Sequence, residues 1–277
     1  METKYSVLYS VYKKEKPSIM KASLDSMLAQ TIFPEQIVIV EDGELTPELY
    51  NLIEEYRNRF PETITSVPLQ VNRGLGVALN EGIKHCRNEL IARMDTDDIS
   101  LPERCEKQLI VFSEDPELTI VGTSVDEFYD NPNQIVSRRV VPSNYADILS
   151  FSKRRNPFNH PTVMYKKTHV LAIGGYGDFR RNQDYDLFVR MLAKGYKAFN
   201  LPESLVLFRA NADNLKRRKT WSKTKGDIMM RYDLWKSGYA NFLDFSISSC
   251  AFLFSYLAPS WLFKKMSDMF LRKKKPQ

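Results

Sequence analysis

Short apolar runs alternate with amphipathic segments through the first ~112 residues of this chain. The run at residues 37–40, Ile-Val-Ile-Val, is apolar without a break, which is typical of a strand buried on both faces of a parallel sheet. Thr46 and Pro47 follow as a helix N-cap and a first-turn proline. Strands that alternate with helices in this way predict an open α/β sheet.

Polar side chains follow four of the predicted strands at the points where the strands end. They are Ser10, Asp42, Asn72 and Asp95. Sheets of this class bind ligands beyond the carboxyl ends of their strands. We therefore expect these four groups to converge on one ligand at one edge of the sheet.

Three carboxylates, Asp95, Asp97 and Asp98, come just after the fourth predicted strand and before a helix predicted to start at residues 100–103. Crowded carboxylates that lose hydration are tolerable mainly when a cation lies among them. On an extended backbone, residues two apart point to the same side, so Asp95 and Asp97 can face one ligand. Hard oxygen ligands select Mg²⁺ or Mn²⁺. A solvated Asp-rich turn that caps the next helix is the alternative.

Net charge and the spacing of the cysteines bear on the partners and the compartment of the protein. The net charge is +6, and basic runs lie late in the chain at residues 216–219, 264–265 and 272–275. The three cysteines have no metal-ligand spacing, which predicts reduced thiols in a cytosolic protein. Early lysines and glutamates interrupt any signal-peptide core, so the cytoplasm is the expected compartment.

Five motifs, in order, resemble those of glycosyltransferase family 2. They are Ser10-Val11-Tyr12, Val40-Glu41-Asp42-Gly43, Asn72-Arg73-Gly74-Leu75-Gly76, Arg93-Met94-Asp95-Thr96-Asp97-Asp98 and Gln183-Asp184-Tyr185-Asp186. The resemblance covers residues ~4–210 and is nearest to bacterial enzymes that build O-antigen, capsule or exopolysaccharide repeat units on a lipid carrier. It implies an α/β GT-A fold, with a mainly parallel central sheet flanked by helices, and inverting transfer from a nucleotide sugar with Mn²⁺ or Mg²⁺.

The resemblance also implies which residues hold the nucleotide sugar and its ion. The predicted nucleotide-sugar contacts are Ser10, Val11, Tyr12, Glu15, Asp42, Asn72, Arg73, Asp95 and Arg209. Asp97 is the predicted metal ligand; Asp98 could be the ligand in its place, or could cap the following helix. For Asp42 and Arg209, a turn residue and a strand end are the structural alternatives.

Asp184 matches the position of the family's general base, and Gln183 stands where an acidic residue is commoner. Without the family context, Asp184 would more simply be a helix cap. His160 is predicted to contact the acceptor or a donor phosphate, against the alternative of a structural histidine.

The resemblance divides the chain into two regions. Residues 1–210 form the GT-A domain, with a nucleotide-sugar-binding half at 1–112 and an acceptor half at 113–210. Residues 211–277 form a helical, basic, membrane-associated region. Residues 245–263 carry no charge and are followed by Lys264 and Lys265, which favours association with an anionic membrane surface over a core helix or a span. A solvated basic end is the alternative.

The expected activity is inverting transfer of a hexose, galactose or glucose favoured, from a UDP-sugar to a polyprenyl-diphosphate-linked sugar. The favoured acceptor is N-acetylglucosamine on undecaprenyl diphosphate, at the cytoplasmic face of the inner membrane, with a β-linkage in surface polysaccharide as the product.

Three other kinds of protein are weighed against this activity. A sugar-nucleotidyltransferase would be expected to carry a Gly-rich loop after the first strand, and residues 10–16 contain no glycine. A non-catalytic sugar-binding protein is disfavoured because Asp97 and Asp184 are present. A nucleic-acid-binding protein is disfavoured because the motifs are acidic and the basic runs are mostly terminal, so no nucleic-acid partner is expected.

Overall fold

The computed structural model describes residues 4–179, 181–210 and 220–258. The strands are β1 (Tyr5–Val11), β2 (Gln36–Glu41), β3 (Ile64–Pro68), β4 (Leu90–Arg93), β5 (Ile99–Ser100), β6 (Leu118–Phe128), β7 (Ile135–Arg139), β8 (Met164–Lys166) and β9 (Lys197–Arg209). The helices are α1 (Pro17–Leu28), α2 (Pro47–Arg59), α3 (Leu75–His85), α4 (Arg104–Glu114), α5 (Tyr145–Ser152), α6 (Lys167–Ala172), α7 (Gln183–Ala193), α8 (Trp221–Lys236) and α9 (Phe242–Leu257). A 3₁₀ turn, His160–Thr162, precedes β8.

One sheet runs through the molecule in the order β3-β2-β1-β4-β8-β6-β9-β5, with β7 paired to β6. Strands β1, β2, β3, β4, β6 and β9 share one direction, and β5, β7 and β8 run against them. This confirms the predicted α/β fold with a mainly parallel central sheet. The sheet continues across residue 112, so the division into two halves stays a prediction.

Helices cover both faces of the sheet because successive residues of a strand point to opposite sides. Val7 and Tyr9 of β1 pack in one core with α1, α2 and α4. Leu8, between them, packs in a second core with α3 and α7. Both faces of β1 are therefore buried, as is typical of a central strand of a parallel sheet.

The order in which strands are added to the sheet reverses at β1. Strand β1 lies between β2 and β4, and the connection from β3 returns through α3 to reach β4. The carboxyl ends of β1 and β4 thus flank the crevice where open α/β sheets bind their ligands. Residues 10–12 and Asp95 lie at these two ends.

Two local predictions around residue 98 are wrong. The helix expected at residues 100–103 begins at Arg104, and Ile99–Ser100 instead form β5, where Ile99 lies opposite Leu207. The segment after β4 is a turn and not extended backbone. Pairing of Ile99 and Ser100 with β9 takes these residues out of the helix. Asp98 also accepts a hydrogen bond from the backbone N–H of Arg209 (2.8 Å), which ties the preceding turn to β9.

Helices α8 and α9 pack against each other and against the sheet domain. Asn241 and Asp244 form a capping box at the start of α9, and Asp244 pairs with Arg154 at 2.6 Å. Within the described ranges, no helix combines the length and apolar character that a membrane crossing requires. The basic runs at residues 216–219, 264–265 and 272–275 lie outside the described residues.

Gly82 is where α3 approaches the sheet most closely, and it supports a stability prediction. A Cβ there would lie 2.4 Å from Leu8 Cδ1 and 2.6 Å from Val40 Cγ2. We expect Gly82→Ala to lower the free energy of unfolding by about 1–2 kcal/mol, because overpacking costs about 1–3 kcal/mol and exceeds the gain in helix propensity. Urea denaturation measures this change.

Gly226 provides the matched control, because it lies in α8 and a Cβ added to it would have no neighbour within 4 Å. The same change there should raise the free energy of unfolding by about 0.5–1 kcal/mol. Equal effects at the two glycines would contradict the close approach of α3 to the sheet.

Candidate active site

The ends of β1 and β2 build the first side of the site. The backbone N–H of Asp42 donates to the carbonyl of Val11 (2.8 Å), which extends the pairing past both strands. Ser10 is half-buried in this edge and Tyr12 is exposed beyond it. The predicted contacts Ser10, Val11, Tyr12 and Asp42 therefore lie together.

The Asp42 carboxylate organises the loop after β3. Its two oxygens accept hydrogen bonds from the backbone N–H groups of Arg73 (2.7 Å) and Gly74 (3.0 Å), and Asn72 donates to the Asp42 carbonyl (3.0 Å). Gly74 has a φ of 88°, which favours glycine. Asp42 thus shapes this loop itself, while its predicted contact with a nucleotide stays a prediction. Arg73 is exposed at the loop.

Asp95, Asp97 and Asp98 bring their carboxylates together at the end of β4. One oxygen from each lies within 4.8 Å of the others. Asp98 is fully buried, and its Oδ2 has no hydrogen-bond partner among the described residues. Ser23 of α1 donates to the carbonyl of Asp95 (2.7 Å), which fixes the turn.

The electrostatics of this cluster fit a divalent cation. Partial burial, and after it the charge of Asp95, raise the pKa of Asp97 to about 6. Burial, followed by the charges of Asp95 and Asp97, raises the pKa of Asp98. A hard cation among these carboxylates would favour their ionised forms and would contact the buried oxygen that has no partner. Because all the donors are oxygens, Mg²⁺ or Mn²⁺ suits the cluster.

Glu15 extends the acidic cluster from the loop after β1. Burial raises its pKa to about 7, a hydrogen bond with Thr96 opposes that shift, and the charges of Asp97 and Asp95 add to it. Arg209, at the end of β9, approaches the cluster from the other side, since its Nε donates to the carbonyl of Asp97 (3.0 Å). The predicted residues Glu15 and Arg209 therefore lie at the acidic cluster.

Two buried arginines support the cluster, and sequence reasoning gave neither a role. Arg93 is the last residue of β4, is 1% exposed, and pairs with Asp95. Arg104 is fully buried and donates to the carbonyl of Arg93 (2.8 Å). An arginine at the end of a strand that is otherwise apolar is the signal that could have identified Arg93.

Asp184 lies in the first turn of α7, and the side chain of Asn156 orients it. The Nδ2 of Asn156 donates to Oδ2 of Asp184 (2.7 Å), while the backbone N–H of Phe158 donates to Oδ1 of Asn156 (3.1 Å). The second bond decides which end of the amide faces Asp184. Burial raises the pKa of the Asp184 carboxyl, and backbone N–H donors in the first turn oppose that shift. Sequence reasoning missed Asn156.

Close contacts between α3 and α7 join the two parts of the site. A Cβ at Gly76 would lie 3.0 Å from the carbonyl of Gly177 and 3.3 Å from Cβ of Gln183. Asn80 forms two hydrogen bonds with the backbone of Tyr176, at 2.7 and 2.8 Å. The charge of Asp95 also contributes to the pKa of Asp184. The Asp97 and Asp184 motifs therefore lie in one neighbourhood.

His160 is packed beside these residues. Its Nε2 lies 2.9 Å from the hydroxyl of Tyr176, and its ring meets those of Tyr176 and Phe188 edge to face. Burial, and then the charge of Arg93, lower its pKa, so the ring is neutral. Its predicted contact with an acceptor or a phosphate stays a prediction.

Comparisons with known proteins agree with this geometry. Residues 6–185 match the description Glycosyl transferase family 2. The chain is 38% identical to the amylovoran biosynthesis glycosyltransferase AmsE of Erwinia amylovora, over 82% of this chain and 84% of that protein. It is 34% identical to the UDP-Gal:alpha-D-GlcNAc-diphosphoundecaprenol beta-1,3-galactosyltransferase of Escherichia coli, over 97% of this chain and 98% of that protein.

A solved structure shares the fold. It is the mannosyltransferase PcManGT from Pyrobaculum calidifontis in complex with GDP-Man and Mn2+, with a TM-score of 0.63 and 17% sequence identity, over 95% of this chain and 72% of that chain.

The acidic cluster predicts a linked effect of metal and pH on stability. At about pH 7.5, Mn²⁺ at about one hundred times its dissociation constant should stabilise the wild type by about 2.7 kcal/mol, and Asp97→Asn should lose most of this. Without metal, the raised pKa of Asp97, about 6, means that the folded chain binds this proton more tightly than the unfolded chain. Its contribution to stability therefore grows as the pH falls from about 6 towards 3.8.

Thermal unfolding of the wild type and Asp97→Asn, with and without Mn²⁺ and from about pH 5 to about pH 8, measures both effects. Glu44→Gln, at an exposed glutamate, controls for the loss of one charge. Equal stabilisation of Asp97→Asn and wild type by Mn²⁺ would show that Asp97 is not a ligand of the ion.

Proposed function

The chain is a member of glycosyltransferase family 2 with a GT-A fold, and on that premise we propose that it transfers a hexose, galactose or glucose, from a UDP-sugar to a lipid-linked acceptor. The transfer inverts the anomeric centre and forms a β-linkage. The observation that carries the proposal is that the charge of Asp95 acts on the Asp184 carboxyl, because it places the acidic cluster and the proposed base in one site. The close approach of Gly76 to Gln183 supports it, since it brings the loop after β3 to the start of α7.

The donor occupies the carboxyl ends of β1, β2 and β4. The nucleoside lies against residues 10–12 and Asp42, and the loop of Asn72 and Arg73 that Asp42 shapes faces the same edge. Glycines in that loop allow a close approach of backbone to a phosphate. Asp95 and Arg209, which flank the acidic cluster, contact the donor sugar and its diphosphate.

Asp97 holds the divalent ion, and Asp98 is the residue best placed to share it. The free Oδ2 of Asp98 supports this arrangement, because a buried carboxylate oxygen without a partner is otherwise costly. The ion, when bound, supplies positive charge that offsets the charge developing on the departing nucleoside diphosphate. Both Mg²⁺ and Mn²⁺ accept this donor set, so their availability decides which of them is used.

Asp184 acts as the general base that takes the proton from the acceptor hydroxyl. Asn156 holds Oδ2 of Asp184, which leaves Oδ1 to meet the hydroxyl. The burial that raises the pKa of this carboxyl brings it towards the operating pH, which makes it a better proton acceptor for a hydroxyl. For inversion, the base must lie on the face of the sugar opposite the leaving group.

The acceptor is a sugar on a polyprenyl diphosphate, with N-acetylglucosamine favoured. The name of the Escherichia coli relative, a galactosyltransferase for GlcNAc-diphosphoundecaprenol, supports this acceptor and the donor. The amylovoran enzyme supports a role in the synthesis of a surface polysaccharide.

The α8–α9 hairpin faces the cytoplasmic side of the inner membrane, where such an acceptor lies. The outer face of α9 exposes apolar side chains: Phe242, Leu243, Ile247, Phe254 and Leu257. The sequence that follows α9 carries Lys264, Lys265 and the basic run at 272–275, whose charge complements anionic lipid. We therefore assign a peripheral membrane contact to α9.

Replacing the proposed base separates binding from transfer. Asp184→Asn keeps the shape of the side chain but cannot accept the proton, so kcat should fall by about 10²–10⁴-fold. The dissociation constants for UDP and Mn²⁺, measured by calorimetry, should stay unchanged. Asp186→Asn is the matched control, because Asp186 pairs with Arg190 on the side of α7 and has no part in transfer. Transfer by Asp184→Asn at the wild-type rate would remove Asp184 as the base.

The exposed leucines of α9 predict the strength of membrane binding. Leu243 and Leu257 are 60% and 75% exposed, so replacing them should cost little stability. Leu243→Ser combined with Leu257→Ser should weaken binding to anionic liposomes by about tenfold or more, because each leucine loses part of a burial energy of about 2 kcal/mol.

Liposome co-sedimentation of the full chain measures this loss. Leu171→Ser, at an exposed leucine of α6, controls for the loss of surface apolarity elsewhere. Unchanged co-sedimentation of the double variant would place the membrane contact somewhere other than α9.

A further inference from the structure

Two arginines outside the donor side contact the neighbours of the proposed base. Arg155 directly precedes Asn156, the residue that donates to Asp184. Arg231 of α8 lies with its guanidinium 4.2 Å from the centre of the Tyr185 ring, and Tyr185 directly follows Asp184. One arginine thus adjoins Asn156 in the chain, and the other packs on the residue that follows Asp184.

The carboxylates in this region are already paired with other arginines. Asp244 pairs with Arg154 at 2.6 Å, and Glu127 pairs with Arg139 at 2.5 Å. Arg155 forms no ion pair with any residue in the described parts of the chain. Partial enclosure, and then the charges of Arg139 and Arg231, lower its pKa. Arg155 is therefore repelled by two neighbouring arginines and has no ion-pair partner of its own within the described ranges.

Arg231 also has an unused hydrogen-bond donor. The residue is 6% exposed, and its Nη1 is buried with no partner in the described ranges. Its Nε donates to the carbonyl of Arg154 (3.1 Å). Asp227, one turn earlier on α8, favours the charged form of Arg231 but accepts its hydrogen bond from Asn182 (2.8 Å). A buried guanidinium with an unsatisfied N–H is costly, and an anion would satisfy it.

We propose that Arg155 and Arg231, with Arg139 beside them, bind the diphosphate of the acceptor. This inference rests on the proposed function and adds the residues that position the acceptor. A diphosphate carries charge on two adjacent phosphates, and each planar guanidinium can take one phosphate through two hydrogen bonds. In a sugar diphosphate the phosphates begin at C1 of the ring whose hydroxyl reacts. The substrate therefore needs its anion site one sugar ring away from the base.

The surroundings of Arg231 also indicate where the lipid chain of the acceptor would run. Its guanidinium lies 5.2 Å from the centre of the Phe252 ring on α9. The apolar outer face of the same helix carries Leu253 and Phe254, the next two residues. A lipid attached to the second phosphate can thus pass from the arginines to the surface that we assign to the membrane.

Arg155→Gln tests the site, because Arg155 is the solvent-exposed member and its loss leaves the packing of Arg231 intact. Transfer by the full chain is measured on three synthetic acceptors: an N-acetylglucosamine diphosphate with a short alkyl chain, the corresponding monophosphate, and the neutral alkyl glycoside. The KM for the diphosphate should rise by about 10–100-fold, the effect of losing charge-assisted hydrogen bonds. The KM for the neutral glycoside and for the UDP-sugar should not change.

Two further variants sharpen the test. Arg155→Lys keeps the charge without the planar fork, so its KM for the diphosphate should lie between those of wild type and Arg155→Gln. Arg57→Gln removes an exposed arginine on α2 that pairs with Glu54, and it should leave all constants unchanged.

Three outcomes would overturn the proposal. These are an unchanged KM for the diphosphate in Arg155→Gln, an equal loss on all three acceptors, and a loss of binding to phosphatidylglycerol vesicles without any change in acceptor KM. The last outcome would assign the arginines to phospholipid head groups. If the wild type transfers hexose to none of the acceptors, the proposed function fails by itself. Calorimetry of the alkyl diphosphate with wild type and Arg155→Gln then still decides whether the arginines bind it.

Discussion

Repulsion among the carboxylates at the end of β4 is the constraint on which the rest of the site depends. Three acidic side chains bring their oxygens within 4.8 Å of one another, and one of the three is fully buried. Arg93 offsets part of their charge and is itself buried, so neither it nor Asp95 could be removed without leaving the other uncompensated. Negative charge remains in excess, and this excess is the physical basis of the proposed cation site.

A series of close contacts fixes the position of the proposed base, Asp184, relative to β1. Gly82 lets α3 lie directly on Leu8 and Val40, and Gly76 at the other end of α3 meets the start of α7. Asn80, between them, holds the loop that leads into α7 through two hydrogen bonds. The spacing between the strand ends and Asp184 is therefore set by buried, closely packed contacts at two glycines and by the Asn80 hydrogen bonds, which suits a reaction that needs fixed geometry.

Features that depend on local sequence were predictable, and those that depend on distant pairing were not. The apolar run at 37–40 became β2, and Thr46 caps α2 through the backbone N–H of Leu49. Convergence of the strand ends follows from parallel pairing alone. The turn at residues 94–98 and the strand β5 could not be foreseen, because both depend on β9, whose Arg209 lies 111 residues after Asp98. Asn156 was missed for the same reason, since its partner Asp184 lies 28 residues away.

The opposite charges on the two sides of the site can also keep two diphosphates apart. In the proposed arrangement the donor side is acidic, so a diphosphate would bind there only together with a cation. The proposed acceptor side presents Arg155 and Arg231, which could bind a diphosphate without any metal. Asp95 and Asp97 would repel a free acceptor diphosphate, while a donor diphosphate that carries its ion would have less charge to offer the arginines. If these roles hold, charge distribution alone would favour each substrate on its own side of the site before either sugar is recognised.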